Sequence, residues 1–461
     1  MILGKIFAPF VERSPISVMA RGALEHALRP QDVDAMFGAN ADTQYTRTLL
    51  FSTVVDLMSL VVHRIRPSLH AAYQSNRDQM EVSVQSLYNK VDGIEPAVGA
   101  ALVKHVAGRT APLVESMKAA LPDLLPGYRA KILDGNHLAA TEHRISELRK
   151  TASGPLPGFA LVVLDPRLMQ VADVIPCEDG HAQERALTDA VLAKVEAKDV
   201  WIADRNFCTA ALLFGIARRE GFFVIRHHRI NAPWKPMGRL RRCGTIDGSE
   251  VWEQQAKLRD SAGNSLIVRR ITLKLAGATR DGDRELHILT NLPPEVLGTE
   301  VGTVYRKRWG IELAFQELEA TLEGELDTLG YPKAALFAFC VALVAYNLLS
   351  VIKAALRAEH GAQKIQDEVS AFYLADEIAG TRRGMEIAIP PKAWHVFQTA
   401  QTKEVAEVLV RLAGKVDLRK FRRHPRGPKK PQPPRIFNRK HPHVSTARLL
   451  DLRKTKRKNA P

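Results

Sequence analysis

The segment "VYRKRWGIELAFQELEATLE" concentrates groups that can handle a phosphodiester. Counted from Tyr305, Arg308 is three residues on, Glu312 seven and Glu319 fourteen. On one continuous helix these four project within an arc of about 60°. Arginine grips phosphate oxygens in a bidentate way that lysine does not. A carboxylate beside it can complete a cation site, although the same pattern also suits a solvated helix face with an internal salt bridge. Two further carboxylates stand out upstream. Asp134 follows Ile132 and Leu133, and Asp204 closes "VWIAD", so each lies on or at the end of an apolar strand, where an unpartnered charge is costly. Strands adjacent in one sheet would bring the two together, and paired like charges then require either a raised pKa or a cation. Hard oxygen donors that leave room for water and phosphate suit Mg²⁺. Asp165 and Asp173 share the same local context, so position alone does not choose among the four aspartates.

These residues need elements to position them. Residues 1–124 read as helical, with apolar periodicity in "TLLFSTVVDLMSLVVHRI" and "EPAVGAALVKHVAGRTAPLVESM". From Tyr128 to His228 the order is three strands ("YRAKILDG", "GFALVVLDP", "LMQVADVIP"), a helix ("AQERALTDAVLAKV"), a strand ("DVWIAD"), a helix ("CTAALLFGIARRE") and a strand ("GFFVIRHH"). That order predicts a mixed sheet covered by helices, an α/β fold. Residues 229–297 break the rhythm: "GTIDGSEVWEQQAKL", "NSLIVRRITLKLAG" and "RELHILTNLP" are strand-like runs between Gly, Asp and Asn turns, a β-rich insertion. Helices resume over 298–360 and again over 361–417. The apolar run near Ala335–Ile352 approaches membrane-spanning length, but Asn347, Ser350 and its alanines favour a buried core helix.

Composition narrows the function classes. The 461 residues are 46% hydrophobic and 25% charged, ordinary globular usage. Four cysteines (Cys177, Cys208, Cys243, Cys340) form no CxxC pair, which argues against a zinc ribbon and fits a reducing cytosol. Neither a GxGxxG nor a GKS/T loop is present, which argues against a nucleotide-driven ATPase. Met1–Pro15 has no clear small-residue cleavage site, so no signal peptide is expected. The net charge of +16 is strongly localised: residues 418–461 hold 16 basic residues against one acidic residue, Asp451, and seven prolines. The reading is a solvated basic tail that binds polyanions through phosphate contacts, with nucleic acid as the natural partner.

The three segments "ILDGN", "IADRNF" and "TNLP…YRKRWGIELAFQELE" resemble the catalytic segments of DDE transposases of insertion-sequence family four, the group containing the Tn-five and Tn-ten enzymes. That family's signature places Tyr, Arg, Glu and Lys at spacings that Tyr305, Arg308 and Glu312 fit, with Trp309 after the arginine; Glu319 stands where the family has lysine. The resemblance runs from about residue 128 to 356. It implies a ribonuclease H-like core over 125–228 and 298–360, interrupted by the insertion at 229–297. It implies that Asp134, Asp204 and Glu312 hold two Mg²⁺ ions, with Mn²⁺ able to substitute, for in-line phosphoryl transfer. Tyr305, Lys307, Arg308 and Trp309 become DNA contacts, and Trp234 or Trp252 a platform for a flipped base. Residues 1–124 would read the inverted ends of an insertion sequence, and a homodimer would form in the DNA-bound synaptic complex, on nucleoid DNA in the cytoplasm. The alternative is a transposase-derived DNA-binding regulator, which the acid at Glu319 would favour.

Overall fold

The computed structural model describes residues 3–44, 48–228, 230–278, 282–424 and 442–458. In chain order the strands are β1 (Arg129–His137), β2 (Pro155–Leu156), β3 (Phe159–Asp165), β4 (Gln170–Cys177), β5 (Asp199–Ala203), β6 (Phe222–Arg226), β7 (Trp234–Ile246), β8 (Ser249–Arg259), β9 (Ser265–Lys274), β10 (Glu285–Thr290) and β11 (Val444–Ser445). One nine-stranded sheet has the order β4-β3-β1-β5-β6-β10-β9-β8-β7, and β11 pairs in parallel with β2. Strands β1, β5 and β6 are parallel, with β3 and β10 antiparallel on either side of them. The protein is therefore a mixed α/β structure.

Helices cover both faces of the first five strands, which is why β3 (FALVVLD) is apolar without alternation. Alternate side chains divide between two cores. Ile132, Val162, Val200, Ile202 and Val224 pack toward the helical layer, while Leu133, Leu161, Val163, Trp201 and Phe223 pack toward the opposite face. The helical layer contains α1 (Ala8–Arg13), α2 (Pro15–Ala27), α3 (Pro30–Asn40), α4 (Phe51–Val62), α5 (Leu69–Ser75), α6 (Val84–Gly93) and α7 (Pro96–Ser116). The opposite face carries α8 (Thr188–Leu192) and α9 (Ala210–Arg218). After the sheet come α10 (Gly298–Lys307), α11 (Trp309–Thr321), α12 (Pro332–His360), α13 (Ala362–Glu368), α14 (Ala371–Ala388), α15 (Pro391–Thr399) and α16 (Thr402–Ala413). The last helix is α17 (Thr446–Lys458).

Helix α12 is the axis of this layer. It is long and apolar enough to cross a membrane, yet its apolar window is wholly buried inside the protein. Helices α2, α4, α7 and α16 pack around it, so residues 1–124 share one continuous core with α12 and the sheet. Its fully buried Asn347 is a polar fastener. The Asn347 amide donates to Val171 O (2.8 Å) and accepts from Val171 N–H (2.7 Å), where the β3–β4 register slips.

The structure corrects three local expectations. "AQERALTDAVLAKV" forms a 3-10 turn (Glu184–Leu187) and the short α8 rather than one full helix. "GTIDGSEVWEQQAKL" is a hairpin: Asp247 and Gly248 both have positive φ, as a tight primed turn requires, and β7 precedes them. Strand β7 is a mostly exposed edge carrying Arg239, Arg241 and Arg242, so no apolar alternation marks it. The C-terminal stretch is not tail-like at either described end. Phe421 is buried, and β11 and α17 dock on the β2 region, where Arg448 grips Asp179 (2.8 and 2.9 Å) and Arg453 pairs with Glu147. Residues 425–441 and 459–461 of the expected tail lie outside the described residues.

Replacing Asn347 with Leu keeps the branching of the side chain, removes its donor and acceptor, and strands two buried backbone groups. The expected loss is about 2–5 kcal/mol of unfolding free energy, measured by urea titration. A loss below about 0.5 kcal/mol would show that Val171 finds other partners.

Candidate active site

Asp134 lies within β1 on the same face as Ile132, toward the helical layer. Strand β1 pairs in parallel with β5, with Leu133 opposite Ala203. The next residue on each strand, Asp134 and Asp204, therefore emerge side by side. Asp204 caps the turn that follows, its Oδ1 accepting the Asn206 N–H at 2.7 Å. Glu312 comes from the first turn of α11, where the helix N-terminus favours negative charge.

Arg308 joins these pieces. Its Nη1 donates to Asp134 Oδ2 (3.2 Å) and its Nη2 to Glu312 Oε1 (2.5 Å). Tyr305 is buried, and its side chain hydrogen-bonds Arg308. The expectation of one helix from Tyr305 to Glu319 does not hold. Helix α10 ends at Lys307 and α11 begins at Trp309, with the Arg308 N–H bonded to Tyr305 O and the Ile311 N–H to Arg308 O, both i to i+3 contacts. Gly310 weakens the helix here, and the break turns Arg308 between its two carboxylates. Tyr305 thus backs the site, whereas Glu319 is exposed on α11. Its carboxylate forms no ion pair among the described residues.

The other sequence candidates divide clearly. Trp309 (52% exposed) and Lys307 (exposed) flank the carboxylates at the surface. Trp234 and Trp252 are half-buried under Arg270 (4.3 Å) and Lys274 (4.9 Å), each in a cation–π contact. Asp165 accepts the Arg167 and Leu168 N–H groups of a turn, and Asp173 pairs with Lys194 (2.6 Å). Both decoys are structural.

Sequence spacing missed a fourth carboxylate, Glu184. A Cβ built on Gly135 would lie 2.2 Å from Glu184 Oε1, so glycine after Asp134 is what lets Glu184 approach the backbone there. On the other side the Glu184 side chain hydrogen-bonds Asn206. Each aspartate segment thus supplies one residue that seats it, and the glycine in "ILDGN" was the available hint. Burial raises the Asp134 pKa to about 6, with Asp204 and Glu312 adding to the rise and Arg308 opposing it. Burial raises Glu184 to about 7, with Asp204 and Asp134 adding. Of these four carboxylates, Arg308 bonds two, Asp134 and Glu312. Among the described residues, no three His, Cys, Asp or Glu side chains are grouped at metal-holding spacing, the Arg308 guanidinium lying between two of the acids.

Residues 125–348 match the family described as the transposase DDE domain. The match runs from just before β1 into α12 and includes Asp134, Asp204, Glu184, Arg308 and Glu312. It supports a transposase of the DDE class. No curated protein matches the chain. A solved structure, a piggyBac transposase synaptic complex with hairpin DNA, is 10% identical over 81% of this chain and 82% of that one, at a TM-score of 0.38. A likeness that weak carries no argument about fold or function.

The crowding of acids has a pH signature. Glu184 has a higher pKa in the folded chain than its ordinary value of 4.5, so the folded form binds its proton more tightly. Its contribution to stability therefore falls as pH rises from 4.5 through about 7. Glu184→Gln should melt higher than wild type at pH 8 in metal-free buffer, and the advantage should vanish near pH 4. An equal melting temperature at pH 8 would show that the Glu184 charge is penalised neither by burial nor by the aspartates.

Proposed function

We propose that this protein is a cut-and-paste transposase that binds the inverted ends of an insertion sequence and cleaves and joins DNA strands by in-line phosphoryl transfer. The observation that carries this reading is the convergence of Asp134, Asp204 and Glu312, from two parallel strands and a distant helix, around Arg308 within a DDE domain match. The strand order β4-β3-β1-β5-β6, in which β3 alone runs opposite to the other four, supports a ribonuclease H-like core. Strands β7–β10 are the insertion, extending the same sheet.

The donor set fits Mg²⁺, or Mn²⁺ in its place. The acids are hard oxygen donors, and Asp134, raised to about 6 chiefly by burial with Asp204 and Glu312 adding, is a site where a further cation would favour the ionised form. Asp134, Asp204 and Glu312 would hold the ions, which when bound supply activation of the attacking hydroxyl and stabilisation of the leaving oxygen. The chain's own groups do the positioning. Arg308 fixes the Asp134–Glu312 separation and presents guanidinium edges to a phosphate. Tyr305, buried behind it, sets its orientation. Lys307 meets the DNA backbone by charge, and exposed Trp309 offers a stacking face beside the acids. The helical layer formed by residues 1–124 reads the ends, the basic C-terminal stretch adds phosphate contacts without base choice, and two copies act in the synaptic complex on nucleoid DNA in the cytoplasm.

The test is cleavage of duplexes carrying the element's own ends in Mg²⁺. Wild type should cut, while D134N, D204N and E312Q should each lose about 10²–10³-fold or more in rate with end binding retained. D165N should cut normally. Wild-type activity in D134N or D204N would overturn the assignment, and an uncut substrate with intact end binding would favour the DNA-binding regulator.

A further inference from the structure

Arg64 occupies a backbone position that suits glycine. Helix α4 ends with the Arg64 N–H bonded to Val61 O and the Ile65 and Arg66 N–H groups to Leu60 O, and Arg64 itself has φ +57°. That left-handed conformation at the end of a helix is unfavourable for a side chain with a Cβ. What the side chain does there accounts for it. The Arg64 guanidinium donates to three carbonyls at the C-terminus of α11: Glu319 (3.2 Å), Ala320 (3.2 Å) and Leu322 (3.1 Å). Its Nε also donates to the Glu323 carboxylate (3.2 Å), and the Glu323 N–H bonds Val62 O (2.8 Å). A helix C-terminus leaves carbonyls unpaired and carries partial negative charge, so a guanidinium there satisfies both demands.

The far end of α11 carries Glu312. Because the chain breaks at Arg308, α11 does not inherit its direction from α10. Its bearings are the buried stripe Ile311, Ala314, Leu318 and Thr321, the Lys353–Glu317 pair (2.8 Å), and the Arg64 clamp. The clamp lies about 10–15 Å along the axis from Glu312, so a small change of tilt at that end moves the Glu312 carboxylate relative to Asp134.

We propose that Arg64 is a positioning residue for Glu312, and that through it the helical layer, the part of the chain proposed to read DNA ends, sets the geometry of the catalytic helix. The inference rests on the transposase reading for its effect on cleavage, but not for its effect on α11.

The test compares wild type with R64G and R64K. R64G removes the clamp while relieving the backbone conformation, so the melting temperature should stay within about 3 °C of wild type. Amide exchange should accelerate in residues 313–322 and remain unchanged in α4. Cleavage at saturating end DNA should fall about tenfold with end affinity unchanged, and R64K, which keeps one donor group, should fall between the two. If R64G fails to fold, R64K reads the same exchange and rate differences against wild type. Wild-type exchange in 313–322 overturns the clamp, and accelerated exchange with a wild-type cleavage rate overturns its link to Glu312. A wild-type protein that does not cleave DNA fails the transposase reading alone, because the exchange comparison still decides whether Arg64 holds α11.

Discussion

Arg308 is the contact on which the candidate site depends. Two unit charges about 4 Å apart interact by about 4 kcal/mol at an effective dielectric of about 20, so gathering acids on neighbouring strands has a large electrostatic cost. The guanidinium between Asp134 and Glu312 offsets part of it and ties the sheet to α11. Burial, with the neighbouring acids adding, makes Asp134 and Glu184 hold their protons above the ordinary carboxylate range. A centre tuned only for stability would have replaced these acids with apolar residues. Half-buried acids gathered at this cost point to a role that needs negative charge at that place.

The rest of the fold serves that convergence. Parallel pairing of β1 with β5 sets the aspartates side by side, and this pairing requires helices on both faces of the sheet. The helical layer provides one cover and is itself organised by α12, whose Asn347 fastens β4. The opposite cover provides the 3-10 turn that brings Glu184 against Gly135. No single segment contains the site: 178 residues separate Asp134 from Glu312 along the chain.

Much of this was legible in the sequence where burial imposed a pattern. Strands β3, β5 and β6 are mostly apolar because helices cover both faces, and the long α12 is apolar because it is surrounded. The aspartates were legible as charges closing apolar runs, though Asp165 and Asp173 looked the same until the turn bonds of one and the Lys194 partner of the other were visible. Strand β7 was not legible because an exposed edge strand needs no alternation. The break at Arg308 was hidden because the local residues, Gly310 apart, all favour helix, so a continuous wheel gave Tyr305 and Glu319 a shared face they do not have. Glu184 and Arg64 were invisible for a different reason. Each acts across a long sequence separation, on Gly135 and on the end of α11, and spacing along the chain carries no trace of such contacts.

The central claim is that Asp134, Asp204 and Glu312 form one cation-binding centre. Anomalous diffraction from crystals soaked in Mn²⁺ tests it most directly. The account predicts manganese density at ligand distance from Asp134 and Asp204, lost in D134N crystals. Density only at other carboxylates, or none at millimolar Mn²⁺, would contradict it.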